Sequence, residues 1–376
     1  MKIAFIVHEY NRHIGHARYV AELASRFRAE HEIHVFTSEW EEPDPEGIHF
    51  HYVPAWRWKT LTSVLTSILP STFMVRGQFD IVHSQGLCGF RQDISTAHFI
   101  QSCWLDSLRK QGRSLGLATP IWRWVVAPLE RLALGESLCR RVIAISRRVQ
   151  ADLSSQYGRT GGVSLIYHGV DLNRFCPLNS GKYRSIVRAR IGIGEQEKVA
   201  LFVGNLQKGA AAAIESLSKV SDVKLLLVTG SNSSKEKQLV SRLGLESRVY
   251  WQPLSRQVEQ YFASADCFVF PTLYEPFGMV ISEAMASGLP VITSKDAGAS
   301  ELIRHGESGW LVEKPWDSDA ISHGLRAIFS EPGLSQKMGQ RARVAIEPYT
   351  WDRCANETLD VYREVIREKK QVNTLG

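Results

Sequence analysis

The segment that decides the fold is Pro271–Val291, PTLYEPFGMVISEAMASGLPV. It follows an apolar strand candidate, passes through a loop with Glu275 and Gly278, enters a short helix that carries Glu283, and returns to an apolar strand. A strand, a loop, a helix and a strand form the unit from which parallel α/β sheets are built. The helix start presents unpaired N–H groups and the positive end of a dipole. The segment therefore predicts a site for a phosphate-linked, hydroxyl-rich ligand.

Strand and helix patterns alternate along the chain in two series. The first runs from the apolar strand Lys2–His8 to Val163–Tyr167, and the second begins at Val199–Val203 and includes the segment above. Residues 168–198 between them are polar and interrupted by Gly and Pro, which is typical of a domain junction. We therefore predict an α/β protein of two Rossmann-like, doubly wound parallel-sheet domains, residues 1–180 and 181–350, facing each other across a cleft. The amphipathic pattern Trp351–Lys370 predicts a final helix.

Composition narrows the class of protein. A chain of 376 residues with 44% hydrophobic and 22% charged residues is typical of a soluble globular protein of two domains. The net charge of +6 favours anionic ligands, but the positive residues are dispersed, so no nucleic-acid partner is expected. The six cysteines form no C-x-x-C pair, and the N-terminus carries no signal-peptide pattern. Both features predict a cytoplasmic location.

The two glutamates of the opening segment do not resemble a glycosidase pair. Eight residues of helix rise about 12 Å and rotate by about 80°. Glu275 precedes the helix and Glu283 lies about one turn inside it, whereas a glycosidase needs two carboxyls roughly 5–9.5 Å apart across one bond. They are better placed to hold two ends of one extended ligand. The alternative is an ordinary loop glutamate and a solvated helix glutamate.

At this point the segment 275–291 resembles the signature of retaining nucleotide-sugar glycosyltransferases of the GT-B fold, family 4. Further blocks occur in the family's order: VIAISRRV at 142–149, YHGVDLNRF at 167–175, GNLQKG at 204–209 and ADCFVFPTLYEPFG at 265–278. The resemblance implies transfer of a sugar, with retention, from a nucleoside-diphosphate sugar to a hydroxyl of a saccharide or lipid-linked acceptor. It implies no cofactor and no metal. It also implies that the C-terminal helix, 351–376, crosses back onto the N-terminal domain.

The same resemblance assigns the donor site. Glu283 would bind the ribose hydroxyls of the donor nucleotide, and Glu275 would hydrogen-bond the hydroxyls of the donor sugar through charge-assisted bonds. Sugar and phosphate would also contact the backbone N–H groups at Phe277, Gly278, Met279 and Val280. We expect Glu275 to orient the sugar while the leaving diphosphate takes the acceptor proton. In a double displacement, Glu275 would instead be the nucleophile.

Lys208 follows a predicted strand and would place its ammonium beside the diphosphate, although an ordinary surface lysine is the alternative. Its neighbour Asn205, also in the expected donor site, stands where the family usually has an arginine. Gly15 matches the second glycine of the family's first loop, while the first is replaced by Ile14. His98 ends a predicted strand and would reach the reacting groups, unless it is a core histidine.

Two aromatic and basic stretches, Trp56–Lys59 and Trp104–Trp124, are consistent with a membrane-surface face of the N-terminal domain. They would place the enzyme peripherally at the inner face of the membrane. Acceptor-cleft lining and solvated helix faces are the alternatives.

Other functions remain compatible with this fold. Asn205 and Ile14 depart from the family pattern, so a non-catalytic nucleotide-sugar-binding protein is the main alternative. A phosphorylase or epimerase of the same fold is another. The twelve histidines show no H-x-x-x-H or H-E-x-x-H spacing, so no catalytic metal is expected.

Overall fold

The structure is a computed structural model that describes residues 1–12, 15–40, 46–56, 60–75, 77, 79–116 and 118–375. Its chain forms two compact units. The N-terminal unit consists of Met1–Gly169 together with Trp351–Gly376, and the C-terminal unit is Val170–Thr350. Each unit is built on one parallel sheet covered by helices.

The N-terminal unit contains seven strands in the order β3-β2-β1-β4-β5-β6-β7, and each neighbouring pair is parallel. The strands are β1 (Lys2–Ile6), β2 (Glu32–Thr37), β3 (Ile48–Tyr52), β4 (Ile81–Gln85), β5 (Ile94–Ala97), β6 (Arg141–Ala144) and β7 (Val163–Leu165). Its helices are α1 (Gly15–Phe27), α2 (Thr60–Met74), α3 (Gln101–Lys110), α4 (Ala118–Ile121), a π-helical turn (Trp122–Val126), α5 (Ala127–Ala133) and α6 (Arg147–Tyr157).

The C-terminal helix, Trp351–Leu375, packs in this first unit. The Arg26 guanidinium binds Asp352 at 2.6 Å, and the ring of Tyr362 lies 5.9 Å from that of Phe27 on α1. The Tyr362 hydroxyl also lies 2.6 Å from Nδ1 of His83 on β4. The helix therefore completes the hydrophobic core on one side of the first sheet.

The C-terminal unit contains six parallel strands in the order β10-β9-β8-β11-β12-β13. The strands are β8 (Lys198–Val203), β9 (Val223–Thr229), β10 (Val249–Pro253), β11 (Cys267–Phe270), β12 (Val291–Ser294) and β13 (Gly309–Val312). The helices are α7 (Asn179–Ile191), α8 (Ala210–Leu217), α9 (Ser234–Arg242), α10 (Glu259–Ser264), α11 (Met279–Ala286), α12 (Ser318–Ile328) and α13 (Leu334–Ile346). The prediction of two doubly wound parallel sheets is confirmed.

The boundary between the units differs from the predicted one. It lies after Gly169 rather than after residue 180, and the expected junction contains helix α7. Val170 N donates to the carbonyl of Tyr349, and the Arg174 guanidinium binds Glu259 at 2.9 Å. Residues 170–180 therefore belong to the C-terminal unit because their polar groups are satisfied there.

Helix α7 is held by a buried cation rather than by an apolar stripe. The side chain of Arg188 is fully buried and donates to the carbonyls of Ser264 and Glu197 and to the carboxylate of Asp266, at 2.8–2.9 Å. A buried guanidinium is tolerated only when its donors are satisfied in this way. The segment looked like a linker because the residue that anchors it is charged.

Each sheet has a point where the direction of strand addition reverses. In the first sheet the chain adds β2 and β3 on one side of β1 and β4 on the other, and in the second it adds β9 and β10 on one side of β8 and β11 on the other. Ligands of open α/β sheets bind at the carboxyl ends of the strands that flank such a point. The loops after β1 and β4, and those after β8 and β11, are therefore the places to look for a site.

Candidate active site

The loops after β8 and β11 touch each other. Gly209, which follows the short 3₁₀ turn Leu206–Lys208, has a φ of +104°, and a Cβ placed on it would lie 2.0 Å from the carbonyl oxygen of Pro271. Only glycine allows this backbone conformation and this close approach. The contact fixes the two loops against one another at the carboxyl edge of the sheet.

The two predicted catalytic residues of this unit form an ion pair. Lys208 Nζ lies 2.5 Å from Glu275 Oε2, although the residues are 67 positions apart in the chain. The lysine side chain is 41% exposed and the glutamate 13% exposed. A partly exposed ammonium and a largely buried carboxylate thus stand together at the reversal point of the sheet, where a ligand can reach both.

The loop that carries Glu275 is held by backbone hydrogen bonds from the chain that follows β12. Gly298 N donates to the carbonyl of Glu275 at 2.8 Å, and Ala299 N donates to the carbonyl of Phe277 at 2.7 Å. The Phe277 side chain is buried, which anchors the loop in the core. Glu275 is therefore positioned by backbone bonds at its own carbonyl and at that of Phe277, two residues further on.

Helix α11 begins directly after this loop. Gly278 is its N-cap with φ +96°, and a Cβ there would lie 3.0 Å from both Glu275 Cγ and Ile281 Cδ1. Met279 and Val280 are the first helical residues, so their N–H groups have no intrahelical acceptor. The helix start, with its partial positive charge, is thus adjacent to Glu275 and suited to an anion.

Glu283 lies on the same helix, and its side chain is only 6% exposed. The alternative of a solvated helix glutamate is therefore wrong. A carboxylate at this level of burial must be satisfied by polar partners.

Asn205 stands where the family usually has an arginine, and it is uncharged. It is the N-cap of the 3₁₀ turn, and its Oδ1 accepts from Gln207 N at 3.0 Å. Its side-chain oxygen therefore shapes the turn that carries Lys208.

The remaining predicted site residues, Gly15 and His98, belong to the N-terminal unit. Gly15 is the first residue of α1, the helix that follows β1, while Ile14 lies outside the described residues. His98 follows β5 directly, is partly buried, and its Nε2 lies 2.8 Å from Oε1 of Gln85 at the end of β4. These residues occupy the carboxyl edge of the first sheet, and the others occupy that of the second.

His98 is electrostatically neutral at physiological pH. Burial lowers its pKa well below the usual value, and His168, His16 and His83 lower it further. Its ring lies 5.2 Å from Tyr19 and 5.5 Å from His168. With a proton on Nε2, which faces the Gln85 oxygen, the ring offers Nδ1 as a hydrogen-bond acceptor. His98 can therefore position or accept a hydroxyl proton but does not supply a charge.

A second histidine of the N-terminal unit, His83 on β4, has a structural role. It is completely buried, and its two ring nitrogens contact the Tyr362 hydroxyl and the Thr96 hydroxyl at 2.6 and 2.7 Å. Burial lowers its pKa to about 3. It links β4, β5 and the C-terminal helix as a neutral core residue.

A further cluster of possible metal ligands depends on the pairing of two strands, which the sequence does not show. Glu32, His34 and His49 place their ligand atoms within 4.8 Å of one another on β2 and β3. The sequence signals are E-x-H at 32–34 and H-x-H at 49–51, which put alternate side chains on one face of a strand.

The second aromatic and basic stretch forms an exposed surface on the π-helical turn. Trp122 and Val126 are buried, whereas Arg123, Trp124 and Val125 are exposed, with Trp124 at 75%. The Arg123 guanidinium binds Asp106 at 3.0 Å. Of the first stretch, Trp56 is 67% exposed and residues 57–59 lie outside the described residues. No described helix combines the length and the hydropathy that a membrane crossing requires.

Comparison with known proteins agrees with the sequence motifs. Residues 14–174 match the family model described as Glycosyltransferase Family 4, and residues 184–345 match that described as Glycosyl transferases group 1. An uncharacterised glycosyltransferase of Methanocaldococcus jannaschii is 28% identical to the chain, over 96% of this chain and 98% of the relative.

Two solved structures have the same fold. WaaG, a glycosyltransferase involved in lipopolysaccharide biosynthesis, superposes with a TM-score of 0.79 at 21% identity, over 94% of this chain and 98% of its own. HepE of Anabaena, in complex with UDP-glucose, gives a TM-score of 0.72 at 19% identity, over 97% of this chain and 100% of its own. At these identities the likeness concerns the fold.

Proposed function

We propose that this chain, which belongs to the group 1 glycosyltransferases and has their GT-B fold, transfers a sugar from a nucleoside-diphosphate sugar to a hydroxyl of a saccharide or lipid-linked acceptor. The observation that carries the proposal is the Lys208–Glu275 pair at the reversal point of the second sheet. It combines a cation for phosphate with an anion for sugar hydroxyls. HepE, a structural neighbour, holds UDP-glucose, which makes that compound the first donor to test.

Donor binding would separate the ion pair. Lys208 Nζ exchanges the Glu275 carboxylate for oxygens of the diphosphate, and Glu275 turns its released oxygen to the hydroxyls of the sugar. Both new bonds are charge-assisted, so the exchange replaces one strong contact by two. The exposed lysine makes the larger movement, because backbone bonds hold the loop of Glu275, whose side chain only has to turn.

The start of helix α11 would hold the phosphates between these two groups. The N–H groups of Met279 and Val280 point toward the side on which Gly278 and Glu275 lie. Charge that develops on the leaving diphosphate is stabilised there and by Lys208, both fixed before the reaction starts. Glu283, one turn further along the helix, would bind the ribose. These groups supply the positive potential without a metal ion, and we expect no metal requirement.

The reaction would proceed with retention at the anomeric carbon. The bond from this carbon to the diphosphate breaks, the acceptor oxygen bonds to the same face, and the acceptor proton passes to a diphosphate oxygen. Neutral His98 in the N-terminal unit would hydrogen-bond the sugar or the acceptor hydroxyl through its ring nitrogen, with Gly15 at the same sheet edge closing on the donor phosphate.

The direct test of the donor begins with a thermal-shift panel of UDP, GDP, ADP and their glucose or mannose conjugates. A ligand that binds only the folded state raises the unfolding midpoint. The conjugate that gives the largest shift is then incubated without acceptor, and release of free nucleoside diphosphate is measured. We expect slow release by the wild type and a clear loss with Glu275→Gln, but not with Glu313→Gln, an exposed glutamate paired with Lys295 in the same unit. Binding without any release, with or without added acceptors, would favour the non-catalytic binding protein.

The acceptor would be reached at the inner face of a membrane, through the exposed surface that contains Trp124 and Val125. Exposed apolar side chains next to Arg123 and the basic end of α3 suit an anionic lipid surface. We expect the protein to float with vesicles containing anionic lipid at low salt and to lose this in Trp124→Ala. Trp316→Ala, which removes a 60% exposed tryptophan in the C-terminal unit, is the matched control. Flotation that is absent, or unchanged by Trp124→Ala, would remove the membrane part of the proposal.

A further inference from the structure

A cluster of histidines and one glutamate lies on strands β2 and β3, in the first half of each strand. The parallel register places His34 opposite His49 and Phe36 opposite His51, and Glu32 precedes His34 by two residues on the same face. β3 is the edge strand of the sheet. The cluster therefore lies toward the amino ends of the strands, at the opposite edge from Gly15 and His98, and is no part of the proposed transferase site.

The ligand atoms are already close to the spacing that a metal ion needs. His34 Nε2 lies 2.9 Å from Glu32 Oε1, and a ring nitrogen of His49 completes a group of three within 4.8 Å. Ligands on a tetrahedral zinc ion with bonds of about 2.0–2.1 Å are separated by about 3.3 Å. Small rotations of exposed side chains would bring these atoms to that distance, because the backbones of β2 and β3 are already paired.

A fourth side chain orients the central ligand. His34 Nδ1 lies 2.7 Å from His51 Nε2, and the His51 ring stacks on Phe36 at 4.4 Å. Without a metal ion, Nε2–H of His34 donates to Glu32, and Nδ1 accepts from His51 Nε2–H. When a metal ion takes the Nε2 lone pair, the proton would sit on Nδ1 and donate to His51. A metal-bound histidine almost always donates the N–H of its second ring nitrogen to an acceptor in this manner. His51 is thus a positioning residue rather than a ligand.

One cation competes for the glutamate. Lys2 Nζ lies 3.0 Å from Glu32 Oε1, and both side chains are partly exposed, at 38% and 49%. An exposed ion pair of this kind contributes little, so the lysine is displaced at small cost. A divalent ion with two imidazole ligands and one carboxylate replaces it with bonds of greater strength.

We propose that Glu32, His34 and His49 form a binding site for a divalent transition-metal ion such as Zn²⁺, with water in the remaining position. Two imidazoles and a carboxylate match the ligand preference of Zn²⁺ and its neighbours in the first transition row. The ion links edge strand β3 to β2 by side-chain bonds, in addition to their backbone ladder.

The test uses the full chain after treatment with a chelator that is then removed. Zn²⁺ is titrated by calorimetry into the wild type, His49→Gln, Glu32→Gln and the control His323→Gln. His49 and Glu32 are exposed, so these variants should fold, and either suffices if the other does not. His323 is an exposed histidine on α12 of the other unit.

We expect one equivalent of Zn²⁺ in the wild type and the control, and affinity lower by about tenfold or more in each ligand variant. Zn²⁺ should also raise the unfolding midpoint of the wild type and not that of His49→Gln. Saturable binding that is absent at millimolar Zn²⁺, or equal in His49→Gln, Glu32→Gln and the wild type, would overturn the assignment. Loss of binding in His323→Gln would place the ion elsewhere. None of these outcomes depends on transferase activity.

Discussion

Replacing Lys208 by methionine separates its role in the fold from its role with the donor. In the structure Lys208 pairs with Glu275 at 2.5 Å, but its side chain is 41% exposed. An ion pair with one exposed partner contributes at most about 1 kcal/mol to the free energy of unfolding. The bond from an ammonium to a diphosphate oxygen contributes about 1.5–3 kcal/mol. Lys208→Met should therefore change stability little and lower kcat/KM for the donor roughly ten- to hundredfold.

The chain offers a matched control at the far end of the strand that precedes Lys208. Lys198, the first residue of β8, pairs with Asp222 at 2.5 Å and is 38% exposed, but it lies at the opposite end of the strand from Lys208. Lys198→Met should cost a similar small amount of stability and leave kcat/KM unchanged. Urea unfolding measures the first quantity and donor turnover the second.

A second measurement locates the loss. If UDP is the nucleotide, Lys208→Met should weaken binding of UDP but not of uridine, because the contact is to phosphate. Equal kcat/KM in the two lysine variants, or equal weakening of uridine and UDP, would refute the assignment of Lys208 to the diphosphate.

Two other predictions concern the fold around the site. Gly209→Ala combines left-handed strain with a Cβ placed 2.0 Å from the Pro271 oxygen. The control is Gly244→Ala, whose φ of +65° is similarly left-handed but whose surroundings are open. Urea unfolding should show that Gly209→Ala lowers the free energy of unfolding by at least about 2 kcal/mol more than the control does, and equal costs would mean that the loops do not touch. Burial lowers the pKa of His83 and of His168 to about 3, so both rings are neutral in the folded protein. Their contribution to the free energy of unfolding is therefore fully present above pH 6.5 and is lost as the pH falls toward 3. Between pH 7 and pH 5 each should reduce the free energy of unfolding by about 2 kcal/mol, and stability that does not fall in this range would contradict their burial as neutral residues.

Most of the strands could be predicted because they are buried on both faces and read as apolar runs. β1 and β8 are examples, and each ends or begins within two residues of the expected position. The N-cap of α6 is equally local, since Ser146 directly precedes the helix and its Oγ accepts from Val149 N at 3.1 Å. Helix α7 was missed because its anchor is Arg188, and a charged residue interrupts the apolar periodicity on which such a prediction depends.

The sequence identified the residues of the candidate donor site but not the distances between them. Glu275 and Lys208 were selected from their motifs, whereas their contact depends on β8 and β11 being neighbours, which follows from the order of strands in the sheet. The cluster around His34 escaped for the same reason, since His49 reaches it only through the register of two strands. Local patterns identify residue types, and long-range pairing decides which of them meet.

The close approach of Gly209 to Pro271 has a consequence for attempts to redesign donor preference. Because a backbone oxygen fills the space where a side chain at 209 would be, neither loop can be exchanged alone without a clash or a gap at the other. A chimaera that imports residues 204–209 from a relative should import 271–278 from the same relative. Selection on donor preference is expected to act on the two loops as one inherited unit, although more than sixty residues of sequence separate them.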